Sequence, residues 1–258
     1  AGINMSTANS DWVISGNSFY QQATRTTFGA GTTVNAIALA SSTINNVSIT
    51  GNYIGGTAPL AGGTAYTINT TATLIFRAIQ ATVGTTTATS IQGNTIQNIS
   101  VTTASTSTAQ SLISLVTGSF NCGTTTGNTL GSQSTTGSFT FVNSSTSTAP
   151  IVSGILAGTG TPGVINISNN TIGGFTVSNS STGTISLRGI SVQGVATSYT
   201  INSNIIGSKT TANSFSNSTN NSILGIFSGS TATTNNTTNN TVANLTTTNT
   251  STSNQVVG

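Results

Sequence analysis

The chain has 258 residues, 34% of them hydrophobic and only 2% charged, with a formal net charge of +3. Its charged side chains are Asp11, Arg25, Arg77, Arg188 and Lys209, with no Glu and no His, and four scattered cations form no basic patch for nucleic acid. No apolar run approaches the roughly 20 residues of a membrane-spanning helix, and recurring Ile and Val with so little charge is not the composition of a disordered chain.

Residues 1–15 begin inside a repeating phrase. Gly2-Ile3 returns as Gly154-Ile155, Gly189-Ile190 and Gly225-Ile226, with Ala36-Ile37 and Ala78-Ile79 as variants. One landmark column is therefore Ile3, Ile37, Ile79, Leu115, Ile155, Ile190 and Ile226. A second phrase ends in Asn followed one residue later by an apolar side chain, as in Asn169-Asn170-Thr171-Ile172 or Gly93-Asn94-Thr95-Ile96. Its Asn falls at Asn17, Asn52, Asn94, Asn128, Asn170, Asn204 and Asn240, in steps of 35, 42, 34, 42, 34 and 36. A period in this range marks a solenoid, propeller or array. It runs from end to end, so residues 1–258 read as one repeat domain with no internal boundary.

From the Ile column to the next key Asn the distance holds at 13 to 15 residues, whereas the return varies from 20 to 27. The constant half reads as two short strands, such as Ile185 to Val192 and then Tyr199 to Asn202, alternating apolar and polar with period two. A third strand starts at the apolar residue after the Asn. Arg77 and Arg188 fall on the polar phase of the first strand, which places them in solvent. The Thr/Ser/Asn-rich stretches Thr102 to Thr108, Asn143 to Thr148 and Thr231 to Thr238 are read as the variable loops, and Pro59, Pro150 and Pro162 lie in the variable half or at its edges. Helices are disfavoured by the scarcity of strong helix formers, and no Asn-Gly or Asp-Gly pair supports a tight hairpin. The expectation is an all-β parallel β-helix (β-solenoid) of about seven coils of 34–42 residues, with three strands per coil.

In such a fold identical positions stack about 4.8 Å apart. The seven key Asn can then form a ladder at a corner, and the Gly or Asn phrase can supply the left-handed backbone that a sharp corner needs. Ile14, Ile49, Ile91, Ile167 and Ile201 would point inward before the corner, with Thr125 and Thr237 as breaks in that column. Phe19, Ile54, Ile96, Leu130, Ile172, Ile206 and Val242 would point inward after it. A nearly neutral surface follows from the same stacking, since like charges every ~4.8 Å would repel with little screening.

Catalytic chemistry finds few parts here. Asp11 is the sole carboxylate side chain, so no paired acid and base, no calcium cage and no His or Cys zinc site can be assembled. Cys122 stands alone without a neighbour to activate it and reads as a small buried or turn residue. No enzyme activity, cofactor or metal is expected.

The phrases Ile167-Ser168-Asn169-Asn170-Thr171-Ile172-Gly173, Asn239-Asn240-Thr241-Val242-Ala243-Asn244-Leu245 and Leu187-Arg188-Gly189-Ile190 resemble the Thr/Ser/Asn-rich β-helix repeats of large secreted surface proteins of Bacteroidetes-like bacteria. The resemblance implies a right-handed, extracellular parallel β-helix in an adhesin, stalk or fibre at the cell surface.

Gln255 to Gly258 matches Ser186 to Gly189 in phase, so the chain is cut in register at both ends, and no charged n-region precedes an apolar stretch as in a signal peptide. Copies are therefore expected to continue head to tail, as stacked subunits or as one longer tandem chain, with an axial repeat of roughly 34 Å for seven coils. A structural filament or stalk building block is the leading functional expectation, with self as the partner and without nucleic acid or membrane insertion. A carbohydrate- or surface-binding module using the variable loops is the alternative. An ice-binding solenoid ranks third, because it needs a flat Thr-x-Thr row on a strand face, whereas most Thr lie in segments of unequal length.

Overall fold

The computed structural model describes residues 1–106, 109–146, 150–158, 160, 163–219, 221–248 and 256–257; Thr108, Thr148, Pro162, Gln255 and Gly258 lie outside them. Among these residues every regular element is a strand, and all the paired strands run parallel. The chain winds as a parallel β-helix, each turn laying one strand on each of several long sheets.

The turns carry four strands where the spacing of the sequence predicted three. One full coil runs through Ser186–Gly194 on the first sheet, Ser198–Asn202 on the second, Ile205–Ile206 on the third and Phe215–Asn217 on the fourth. The first sheet extends from Ile3–Met5 to Val256–Val257, the second from Val13–Ser15 to Thr234–Thr238 and the third from Ser18–Phe19 to Thr241–Val242. The fourth starts one coil later, at Tyr66–Asn69, and ends at Leu245–Thr247. In the first coil its place is marked only by an isolated bridge between Arg25 and Ile68.

The fourth strand lies within the half read as loop. Phe139-Thr140-Phe141 and Ile99-Ser100-Val101 alternate with the period of a half-buried strand, but they sit among Thr- and Ser-rich flanks of unequal length. The unequal pieces are corners on either side of it: between the third and fourth sheets, Gly55 to Ala65 and Ser132 to Ser138 are long, whereas a single Gly174 separates Thr171–Gly173 from Phe175–Asn179. Likewise Thr234–Thr238, read as loop, is a second-sheet strand paired with Ser198–Asn202.

The core fills the inside of the coil. In the fourth sheet, Phe139, Phe175 and Phe215 stack with ring centroids 4.8 and 5.1 Å apart, within the range of favourable offset and tilted ring contacts. The second sheet stacks Ile14, Ile49, Ile91, Cys122, Ile167 and Ile201 in register, so Cys122 occupies the place expected of Thr125. The corner after Cys122 is longer, and Gln92 of the preceding coil braces it by accepting from the main-chain N–H groups of Thr125 and Thr126 at 3.1 and 3.2 Å.

On the first sheet Ile79, Ile113 and Ile155 pair in sequence, which corrects Leu115 to Ile113 in the Ile column; Leu115 pairs with Ala81 and Ala157 instead. The residue before this Ile is Gly or Ala in every coil but the fourth, where Leu112 precedes Ile113, and at Gly189 the reason is steric. A Cβ on Gly189 would stand 2.5 Å from Ile206 Cγ2 and 2.5 Å from the Gly225 carbonyl oxygen. Gly189 and Ile190 thus face inward in succession, and the in–out alternation of the strand is interrupted there.

Candidate functional site

The seven key Asn meet at the corner between the second and third sheets. Each is the residue just before a third-sheet strand, and each of the first six donates twice to the side-chain Oδ1 of the next Asn, once from its main-chain N–H and once from Nδ2. From Asn17 to Asn52 these bonds are 3.1 and 3.0 Å; from Asn52 to Asn94, 2.9 and 3.0 Å. They continue from Asn94 to Asn128 at 2.9 and 2.9 Å and from Asn128 to Asn170 at 3.1 and 2.8 Å. The last two steps, to Asn204 and Asn240, measure 3.0 and 3.0 Å and then 2.9 and 2.9 Å.

The second proton of Nδ2 is used as well. Asn94 Nδ2 donates to the Ile49 carbonyl at 2.9 Å, Asn204 Nδ2 to Ile167 at 2.9 Å and Asn240 Nδ2 to Ile201 at 2.9 Å. Asn52, Asn94, Asn128, Asn170 and Asn204 are buried, so the ladder is internal from the second coil to the sixth. Steps of 34 and of 42 residues make the same bonds, so the insertions leave this corner untouched.

In every coil but that of Asn128, a left-handed backbone residue sits one place before the ladder Asn. Gly51 and Gly93 have φ of 63° and 60°, and Asn169, Ser203 and Asn239 take 58°, 57° and 56° at the equivalent place. Glycine there avoids a Cβ penalty, while Asn is the side chain that best tolerates it.

The two arginines of the first sheet are half-buried, where the sequence placed them in solvent. With Gly189 and Ile190 both turned inward, Arg188 and Ser191 meet on the outer side, and Arg188 Nη1 donates to Ser191 Oγ at 3.1 Å. The guanidinium also lies 3.8 Å from the centre of the Phe227 ring. Arg77 Nη1 donates to Gln80 Oε1 at 3.3 Å across the equivalent pair Ala78-Ile79. Burial lowers the pKa of both arginines below the ordinary value. Ser111 and Ser153 pair in register between them, and their hydroxyls, like Arg77 Nε, are buried without a hydrogen-bond partner.

The remaining reactive groups are dispersed. Asp11 accepts a hydrogen bond from Asn46 Nδ2 at 2.6 Å on the exposed first corner. Cys122 is fully buried, and desolvation pushes its thiol up to about 12, so it is held as a neutral thiol. Among the described residues no three His, Cys, Asp or Glu side chains come together as a metal site, and no helix is long and apolar enough to cross a membrane. A cleft of about 540 Å³ opens beside the first coil, lined by Phe19, Tyr20, Arg25, Phe28, Tyr66 and Phe76 among others, with Arg25 over the Phe28 ring at 5.0 Å. Burial raises the Tyr66 phenol there, with Arg25 opposing the shift.

Fold and ladder together define a parallel β-solenoid, whose built feature is an internal amide ladder. Compared with protein families, curated proteins and solved structures, the chain has no significant match, so no relative assigns it a role.

Proposed function

We propose that the protein is a structural building block, a rigid β-solenoid segment of an extracellular filament or adhesin stalk that stacks head to tail. The observation that carries this reading is the uninterrupted Asn ladder, which passes through all seven coils with the same bond pair at each step. The Asn-to-Asn bonds are also directional. From Asn17 to Asn204 each Asn donates to the Oδ1 of the following ladder Asn and none donates to the Oδ1 of the preceding one, so a further coil, covalent or from a second copy, continues the ladder in the same sense. The placement at a cell surface rests on the resemblance of the repeat phrases and on the hydroxyl- and amide-rich, nearly uncharged composition.

Electron microscopy and sedimentation velocity over a range of concentrations test it. Rods that lengthen in steps of roughly 34 Å, with a ~4.8 Å axial reflection, are the expected result. Particles that stay single at every concentration and show no axial order refute the stacking. Saturable binding of soluble oligosaccharides, lost when the corner Ser132 to Ser138 is shortened, would favour the binding-module reading instead.

A further inference from the structure

The fourth sheet has an outer face as well as a core face. Its inward column runs from Tyr66 through Ile99, Phe139, Phe175 and Phe215 to Leu245. The next residue of each strand faces out, and the register aligns Thr67, Ser100, Thr140, Thr176, Ser216 and Thr246 as an unbroken hydroxyl column. All six are half-buried, as side chains in a close-set flat array are. Two residues further on, Asn69, Thr102, Val142 and Ser178 align in a second outward column, which is hydroxyl-bearing at Thr102 and Ser178. The main-chain bonds Ser218 N to Val177 O and Thr248 N to Asn217 O, 2.9 and 3.3 Å, extend that column to Ser218 and Thr248.

This is a two-dimensional net, about 4.8 Å along the axis and about 6.6 Å across, two residues of a strand. Beneath it the stacked rings at 4.8 and 5.1 Å hold the coil spacing, so the net is backed by packed core. Neither column holds a charged or aromatic side chain. The second sheet offers no such face: its outward column Ser48, Ser90, Asn121, Asn166, Thr200 mixes hydroxyls with longer amides. In the fourth sheet the unequal lengths are confined to corners and the strands align coil by coil, so its Thr and Ser form a regular row.

We propose that the outer face of the fourth sheet binds ice. Hydroxyls and methyls repeated at these intervals hold water in ranks whose spacing is of the order of the oxygen repeats on ice surfaces. Because the array is fixed by the ladder and the ring stack, ordering that water requires little further loss of side-chain freedom. A charged side chain would impose its own hydration shell on the net, and none is present. The inference rests on the coil register alone and stands or falls independently of head-to-tail stacking.

The test uses the full chain in thermal-hysteresis and ice-partition assays. The unmodified protein is expected to enter a slowly growing ice front and to shape ice crystals. The double variant Thr140→Tyr/Thr176→Tyr, with β-propensity retained, is expected to lose both, and Ser48→Tyr/Ser90→Tyr on the second sheet to lose neither. Circular dichroism checks that each is folded, and Thr176→Lys is a second disruption of the face that leaves the neighbouring coils alone. Exclusion of the unmodified protein from ice overturns the proposal, as does binding to crystalline cellulose or chitin without binding to ice. Retention of full activity by folded Thr140→Tyr/Thr176→Tyr and Thr176→Lys also overturns it.

Discussion

Asn94→Ala probes the ladder at its centre. Asn94 Oδ1 accepts from the Asn52 main-chain N–H at 2.9 Å and from Asn52 Nδ2 at 3.0 Å, while its own Nδ2 donates to Asn128 Oδ1 at 2.9 Å and to the Ile49 carbonyl at 2.9 Å. Truncation removes all four. Asn52 Nδ2 keeps the Ile14 carbonyl at 2.8 Å, but the Asn52 main-chain N–H is left buried without its acceptor. Three bonds at about 1 kcal/mol net, plus about 1–3 kcal/mol for the stranded N–H, amount to a loss of about 4–6 kcal/mol. Asn17→Ala is the matched control. Asn17 is half-buried, donates to Asn52 Oδ1 at 3.0 Å and to Ser15 O at 3.1 Å, and should cost only about 1 kcal/mol. Urea denaturation followed by circular dichroism gives the difference, and hydrogen exchange at the Asn52 amide localises it, which matters because stacked coils can open separately. Equal losses for the two variants, or an Asn52 amide that keeps full protection in Asn94→Ala, would refute the ladder as the stabilising feature of this corner.

Three other perturbations test the packing. Gly189→Val forces side-chain atoms against Ile206 and the Gly225 carbonyl, where a Cβ alone would already stand 2.5 Å from each, and should destabilise by about 1–3 kcal/mol or more in a melting experiment. Phe175→Ala, in the middle of the ring stack, should cost about 3–5 kcal/mol by denaturant titration. Cys122, with its thiol raised from 9.0 to about 12 by burial, binds its proton more tightly when folded, so stability should fall as pH climbs from about 9 toward 12. Unfolding at stepped pH should show that fall setting in near pH 9 and weakened in Cys122→Ala; the tyrosines Tyr66 and Tyr199, also raised by burial, add their share only higher up. The same burial should keep Cys122 unreactive toward a thiol reagent until the chain is denatured.

Periodicity carried most of the architecture into view. Asn recurring one residue before an apolar side chain has one economical explanation, a corner repeated coil after coil, because a parallel stack brings equivalent residues within hydrogen-bond reach whatever the length of chain between them. That is why the ladder residues and the inward Ile columns could be named from spacing alone, and why Ile3, Ile37 and Ile79 pair in the expected sequence. Where the interval was irregular, spacing failed by a few residues: Cys122 replaced Thr125 and Ile113 replaced Leu115, since the pairing register follows the inward side chain, and extra residues collect in the corner.

What only the tertiary structure decided lies in the variable half and on the outside. A strand whose outward positions are Ser and Thr looks like its flanking loops until its partners above and below are known, so the fourth sheet and its hydroxyl net emerged from pairing and not from composition. The half-burial of Arg77 and Arg188 likewise depends on two successive inward residues, Ala78-Ile79 and Gly189-Ile190, that strict strand alternation does not encode. Local sequence determined the period, the corner and the core columns, because each depends on residues that repeat at a fixed offset. The number of faces, and what each presents to water, depended on contacts between coils more than thirty residues apart.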